Sequence, residues 1–151
     1  MTKNRASVFV IIPVKGLDNA KSRLSSLLTD DERKQFCLKM LEDVLRTVKS
    51  TKQPHETFVV SKDPMMLEVA KNFDAGYLKE RETGLNKTIS EAVDWCVERE
   101  AASVLVLPAD IPLVEPTDLN IVFTLGEKAS MVISPSKDGR GTNALLLTPP
   151  N

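Results

Sequence analysis

Two apolar runs that end beside prolines dominate the hydrophobic pattern of this chain. The first covers residues 8–14 and includes Pro13, and the second covers residues 104–107, after Ser103, and is followed by Pro108. Such runs, without polar alternation, are typical of strands buried on both faces of a parallel sheet, and proline cannot donate to the ladder of a central strand. We therefore expect two central strands, each ending at its proline.

Helical and strand patterns alternate between these runs. Thr29 and Glu32 predict a capping box, which opens a helix to about Ser50 with apolar residues at three-and-four spacing. Asp63 with Pro64, Asn86, and Pro116 mark three further helix starts, and Gly126 ends the last of these helices. Additional strands are expected at residues 56–60, 75–78, 129–134 and 144–147.

This alternation predicts the fold class. Strand–helix–strand units form right-handed crossovers, which give a mostly parallel sheet with helices on both faces. We expect a Rossmann-like α/β domain over residues 1–151, in which the final strands add antiparallel neighbours.

Composition narrows the class of protein. The chain has 151 residues, with 42% hydrophobic and 27% charged, which is globular rather than disordered. The formal net charge of −1 indicates no nucleic-acid partner, and no apolar run is long enough to span a bilayer. The amino-terminal residues lack the apolar core of a signal peptide, and Cys37 and Cys96 are read as buried small hydrophobes. We expect a cytoplasmic protein.

A basic loop follows the first predicted strand. Lys15, Lys21 and Arg23 place three cations within nine residues, which suits a triphosphate and the charge that develops when it is cleaved. The same cations also fit a merely solvated loop. The spacing matches neither the P-loop nor the dinucleotide-binding glycine motif.

Asp110 follows the second central strand in the segment Pro-Ala-Asp-Ile-Pro. Open α/β sheets bind ligands beyond the carboxyl ends of their strands, and a carboxylate held there suits a divalent metal and the phosphates it carries. The alternative is that Asp110 caps a turn with its side-chain oxygen.

Two other polar loops are expected at this sheet edge. Residues 84–86, Gly-Leu-Asn, offer close backbone approach and the amide of Asn86 to a nucleotide base, or form only a turn and a helix cap. In the loop at residues 139–143, Arg140, Thr142 and Asn143 offer a flexible cradle for a phosphate or carboxylate, or form only a hairpin turn.

Together these segments resemble the 2-phospho-L-lactate guanylyltransferases, a family that makes a precursor of coenzyme F-420 and includes members that use phosphoenolpyruvate. The matching segments, in chain order, are Pro-Val-Lys at 13–15, Ala-Lys-Ser-Arg-Leu at 20–24, Gly-Leu-Asn at 84–86, Leu-Pro-Ala-Asp-Ile-Pro-Leu at 107–113 and Arg-Gly-Thr-Asn-Ala-Leu at 140–145. The resemblance implies the nucleotide-diphospho-sugar transferase (nucleotidyltransferase) fold and a homodimer. It implies transfer of GMP from GTP to the phosphate of phospholactate or phosphoenolpyruvate, with release of pyrophosphate.

The resemblance also implies roles for individual residues. Lys15, Lys21, Arg23 and Asp110 would be catalytic, with Asp110 holding Mg²⁺. Lys15, Gly84, Asn86, Pro108 and Asp110 would bind the nucleotide. Arg140, Thr142 and Asn143 would bind the three-carbon acid.

The family continues beyond the segment that matches residues 140–145, with further substrate-binding residues and a second metal-binding aspartate. The resemblance therefore implies that this chain lacks the family's C-terminal part. The alternatives are a nucleotidyltransferase with another acceptor, such as a sugar phosphate or molybdopterin, and an inactive nucleotide-binding module. A glycosyltransferase is disfavoured, because Ile-Pro rather than a second aspartate follows Asp110.

Overall fold

A computed structural model describes residues 7–15, 22–52, 54, 56–81 and 84–150. The described strands are β1 (Val8–Pro13), β2 (Glu56–Ser61), β3 (Gly76–Lys79), β4 (Ser103–Val106), β5 (Met131–Pro135) and β6 (Thr142–Leu147). The described helices are α1 (Asp30–Lys49), α2 (Met65–Asn72), α3 (Leu85–Glu98) and α4 (Pro116–Gly126), with a short 3-10 helix at Ser22–Leu24. None of the helices in these ranges is long and apolar enough to cross a membrane.

The strands form one mixed sheet in the order β3-β2-β1-β4-β6-β5. β1 pairs in parallel with β2 and β4, and β2 pairs in parallel with β3. β6 runs antiparallel to both β4 and β5. The expected α/β class, the two central strands and the antiparallel finish are thus confirmed.

Two apolar layers enclose the sheet. On one face α1, α2 and α4 pack on alternate strand residues such as Val10 and Leu105, both fully buried. On the other face α3 packs on the intervening residues, such as Ile11 and Val104. This burial of successive residues on opposite faces is why β1 and β4 read as unbroken apolar runs.

The predicted capping box opens α1. Thr29 Oγ1 accepts from the Glu32 amide at 3.2 Å, and Glu32 Oε1 accepts from the Thr29 amide at 3.0 Å. Both bonds satisfy amides that lack a partner inside the helix. The bond from the Thr29 amide also lowers the pKa of the Glu32 carboxyl, because the charged form is the better acceptor.

Two local predictions were wrong. Asn86 does not cap α3: Gly84 occupies the cap position, and Asn86 lies in the first turn of the helix. Thr142 and Asn143 belong to β6 rather than to the preceding loop, because pairing with β5 extends the strand to Thr142. In both cases the element begins earlier along the chain than the sequence pattern predicts.

Candidate active site

The carboxyl ends of the parallel strands bring Lys15 and Asp110 to one edge of the sheet. The Val14 amide donates to the Val60 carbonyl at 2.8 Å, so the chain stays attached to β2 up to the residue before Lys15. The Leu107 amide donates to the Ile11 carbonyl at 3.0 Å, so the segment 108–110 leaves β4 beside the end of β1. The two predicted site residues therefore leave neighbouring strands at the same edge.

Burial of the flanking residues fixes the segments from which these side chains project. Asp110 is exposed, whereas Ala109 and Ile111 are partly buried against the larger core. Lys15 is likewise exposed and follows Val14, which packs on the same core. The apolar neighbours hold the backbone against the core, and the charged groups of Lys15 and Asp110 lie at the surface.

The antiparallel strand β6 adds Thr142 and Asn143 to this edge. Val106 near the end of β4 pairs with Leu145 of β6, so β6 begins where β4 ends. Thr142 and Asn143 precede this last pair and therefore lie beyond the end of β4, with a register shift beside Asn143 in the pairing with β5. The predicted nucleotide-binding and acceptor-binding segments are thus adjacent, with Arg140 in the turn that precedes β6.

The turn that carries Arg140 connects the antiparallel strands β5 and β6 and is held by hydrogen bonds, as in the hairpin turn that the sequence left open. The Ser136 amide donates to the Gly141 carbonyl at 2.8 Å, and the Gly141 amide donates to Ser136 Oγ at 2.9 Å. Asp138 Oδ1 accepts from Ser136 Oγ at 2.6 Å and from the Arg140 amide at 3.1 Å. These donors, Ser136 first, lower the pKa of the Asp138 carboxyl.

The start of α3 contributes Gly84 and Asn86, both exposed. Gly84 has φ +104° and ψ 135°, a conformation that essentially only glycine adopts. Because Gly84 has no side chain, the cap position supplies no side-chain hydrogen bond to the first-turn amides of α3, and such amides can donate to acceptor atoms of a ligand. The positive end of the helix dipole lies at the same place.

Other cations lie in the segments that follow the parallel strands. Arg23 lies in the 3-10 helix between β1 and α1 and is exposed. Lys21 lies outside the described residues. Lys62 directly follows β2, and Arg81 lies two residues after β3; both are exposed, add positive charge near this edge and were not predicted from the sequence. Their position close behind parallel strands is the signal that could have identified them.

The side chains at this edge fit Mg²⁺ only where the phosphates of the substrate supply part of its coordination shell. Within the described residues, no group of three or more His, Cys, Asp or Glu side chains lies close enough together to hold a metal ion. Mg²⁺ in nucleotide enzymes usually takes one or two carboxylates and completes its shell with water and phosphate oxygens. Asp110 provides one such carboxylate, which is enough for this kind of Mg²⁺ site.

Comparison with known proteins places this geometry in a family. The model of the family described as "Guanylyl transferase CofC like" matches residues 8–151. The chain belongs to the CofC-like guanylyl transferase family. The resemblance found in the sequence is thereby confirmed.

Curated relatives of this CofC-like chain carry two names. A phosphoenolpyruvate guanylyltransferase from Rubrobacter xylanophilus is 41% identical over 145 residues, which are 95% of this chain and 70% of the relative. A 2-phospho-L-lactate guanylyltransferase from Methanocaldococcus vulcanius is 39% identical over 145 residues, which are 95% of this chain and 63% of the relative. The chain spans about two thirds of the length of these relatives.

Solved structures confirm the fold. A cytidylyltransferase from Leptospira borgpetersenii superposes with a TM-score of 0.64 at 16% identity, covering 94% of this chain and 60% of that one. At this identity the likeness concerns the fold alone, and it confirms the nucleotidyltransferase architecture of the CofC-like chain.

Proposed function

We propose that this chain transfers GMP from GTP to the phosphate of 2-phospho-L-lactate or phosphoenolpyruvate and releases pyrophosphate. The observation that carries the proposal is the CofC-like family match over residues 8–151. It is supported by the convergence of Lys15, Asp110 and the start of β6 at one sheet edge. By the family resemblance, the reaction belongs to coenzyme F-420 biosynthesis.

The chemistry suits residues that carry charge but no general base. A phosphate oxygen of the acceptor is already an anion at neutral pH, so it attacks the α-phosphorus of GTP without losing a proton to the protein. The new bond joins that oxygen to the α-phosphorus, and the bond to the β-phosphate oxygen breaks. Catalysis of this kind rests on positioning and charge neutralisation.

The nucleotide half of the site draws on three segments. Lys15, Lys21 and Arg23 neutralise the triphosphate and the charge that develops on departing pyrophosphate. Asp110, next to Pro108, would hold Mg²⁺, which when bound supplies Lewis-acid stabilisation of phosphate charge. Gly84 and Asn86 face the base and belong to the α3 entry, the segment formed by residues 84–86.

The acceptor half of the site lies at the start of β6. Arg140 offers a planar fork that pairs well with a carboxylate or a phosphate, and both acceptors carry both groups. Thr142 and Asn143 add uncharged hydrogen-bonding groups beside it. The hydrogen-bonded turn at Ser136–Gly141 holds the backbone from which Arg140 projects.

The proposal extends to location and assembly. Cys96 is buried and Cys37 partly buried, as expected of cysteines that act as small hydrophobic residues in the reducing cytoplasm. We assign the protein small-molecule substrates and no nucleic-acid partner, in keeping with its net charge of −1. A homodimer is proposed from the family resemblance and because two-fold dimers are the commonest assembly.

Pyrophosphate release tests the proposal directly. Purified protein with Mg²⁺ is supplied with GTP or ATP and with phospholactate, phosphoenolpyruvate or neither. Release that requires GTP and one of the two acids is the expected result and identifies the acceptor. Release with ATP and a different acceptor would indicate another nucleotidyltransferase, and nucleotide binding without release would indicate an inactive module.

The Asp110→Asn variant tests the metal assignment. Turnover is expected to fall to background, because the neutral amide is a poor ligand for Mg²⁺, while the fold stays intact because the position is exposed. Asp94→Asn, at an exposed position far along α3, serves as the matched control and should retain full turnover. Normal turnover by Asp110→Asn would show that the metal assignment is wrong.

A further inference from the structure

A side-chain hydrogen bond joins the end of β3 to the first turns of α3. Thr88 Oγ1 donates to Glu80 Oε1 at 2.6 Å, and the chain between them includes the α3 entry. Thr88 is only 4% exposed, so its hydroxyl depends on a partner within the protein. A short bond to a carboxylate is among the stronger hydrogen bonds in proteins.

Both ends of this bridge are attached to the framework. The Glu80 amide donates to the Ser61 carbonyl at 2.9 Å, and Tyr77 Oη donates to the same carbonyl at 2.8 Å. At the other end the Thr88 amide donates to the Gly84 carbonyl at 3.1 Å. The bridge thus connects the carboxyl edge of β2 and β3 to the α3 entry through four hydrogen bonds.

The Glu80–Thr88 bond adds little to the core that holds the sheet and α3 together. α3 is already packed through Ala92, Val93 and Cys96, which lie further along the helix and are all buried. The bond instead determines where the amino end of α3 sits relative to the edge that carries Lys15 and Asp110. The bond therefore fixes the position of the first turn of α3 rather than the stability of the core.

We propose that Glu80 and Thr88 are positioning residues for nucleotide binding, which hold the α3 entry at the spacing from the sheet edge that the base requires. The inference rests on the proposed function, because it takes the α3 entry to be the base-binding segment. Neither side chain touches the reacting atoms. The bridge lowers the cost of ordering the entry when nucleotide binds.

Calorimetric titration with GTP in the presence of Mg²⁺ tests this role without requiring turnover. Thr88→Val removes the hydroxyl with little change in shape and should weaken GTP binding about tenfold, as expected for loss of one charge-assisted hydrogen bond. Thr88→Ser keeps the hydroxyl and should stay within about twofold of wild type. Where turnover is measured, the KM for GTP should rise while the KM for the acceptor stays unchanged.

Thr51→Val is the matched control. Thr51 is also buried, and its Oγ1 donates to the Thr47 carbonyl at 2.9 Å, but it lies after the carboxyl end of α1, far from the site. Its removal should lower the melting temperature without changing GTP affinity. Wild-type GTP affinity in Thr88→Val, with a loss of stability like that of Thr51→Val, would show that the bridge is only structural.

The Glu80→Gln variant and the wild-type protein supply the remaining tests of the bridge. If Thr88→Val does not fold, Glu80→Gln still tests the bridge: it keeps the acceptor oxygen but loses its charge and should weaken GTP binding about threefold, and no change would overturn the inference. Wild type that binds GTP but releases no pyrophosphate would refute the proposed function while the affinity comparison still tests the bridge. Wild type that binds no nucleotide would overturn both.

Discussion

Replacing Gly84 with alanine tests whether the conformation of the α3 entry matters for nucleotide binding. Gly84 has φ +104° and ψ 135°, and a Cβ added there would meet no atom within 4 Å. The penalty for alanine therefore comes from the backbone alone and not from a steric clash. Holding a residue with a side chain in such a conformation costs about 1–3 kcal/mol.

Because of the position of Gly84, the penalty is expected to reduce GTP affinity rather than the stability of the free protein. The entry is exposed, so the variant can relax locally in the free protein and should melt close to the wild-type temperature. GTP binding must then restore the strained conformation, which weakens affinity by a factor between about five and about one hundred. The loss is conformational, so it should be equal for GTP and for GDP.

Calorimetric titration and thermal melting of the same samples measure both quantities. Gly139→Ala is the matched control, because Gly139 has φ +72° and equally open space but lies in the turn before Arg140. This control should leave GTP affinity unchanged and raise the KM for the acceptor. Wild-type GTP affinity in Gly84→Ala would refute the reasoning.

The other predictions concern stability. Gly76→Ala should lower the free energy of unfolding, measured by chemical denaturation, by about 1–3 kcal/mol. The added Cβ would lie 2.5 Å from a ring carbon of Phe58, which is buried and packed on Trp95. An unchanged denaturation midpoint would contradict this packing. Thr29→Ala should cost about 1 kcal/mol at neutral pH, and the difference should shrink as pH falls below 4.5, where the lowered pKa of the Glu32 carboxyl ceases to favour the folded state. Burial raises the pKa of the Cys96 thiol from 9.0 to about 11. The neutral thiol therefore contributes its whole stabilisation below pH 9, and this contribution is lost as the pH rises towards 11. The fall in melting temperature over that range should be smaller in Cys96→Ala, and an equal fall would contradict the assignment.

Much of the fold could be predicted because its signals are local. β1 and β4 are buried on both faces and therefore read as apolar runs, and the capping box of α1 involves residues only three positions apart. Parallel strands must share a carboxyl edge, so the convergence of Lys15 and Asp110 followed from the element order.

The rest depends on contacts between distant residues, which leave no periodic trace. Pairing of β6 with β5 extends β6 to Thr142, two residues before its apolar pattern begins at Ala144. The bond between Glu80 and Thr88 joins a strand end to a helix across a polar segment, and its spacing matches no helix or strand repeat. A phosphate-binding role of a single lysine or arginine likewise leaves no periodic trace, because the same cation fits a solvated loop.

Tracing the phosphorus atoms of GTP tests the central claim most directly. With GTP labelled at the α-phosphorus and either acid as acceptor, the account predicts that label enters a product containing both guanosine and the acceptor. With GTP labelled at the γ-phosphorus, the label should leave entirely in pyrophosphate. Retention of the α-label in GDP, with the γ-label in inorganic phosphate or on the acceptor, would contradict nucleotidyl transfer.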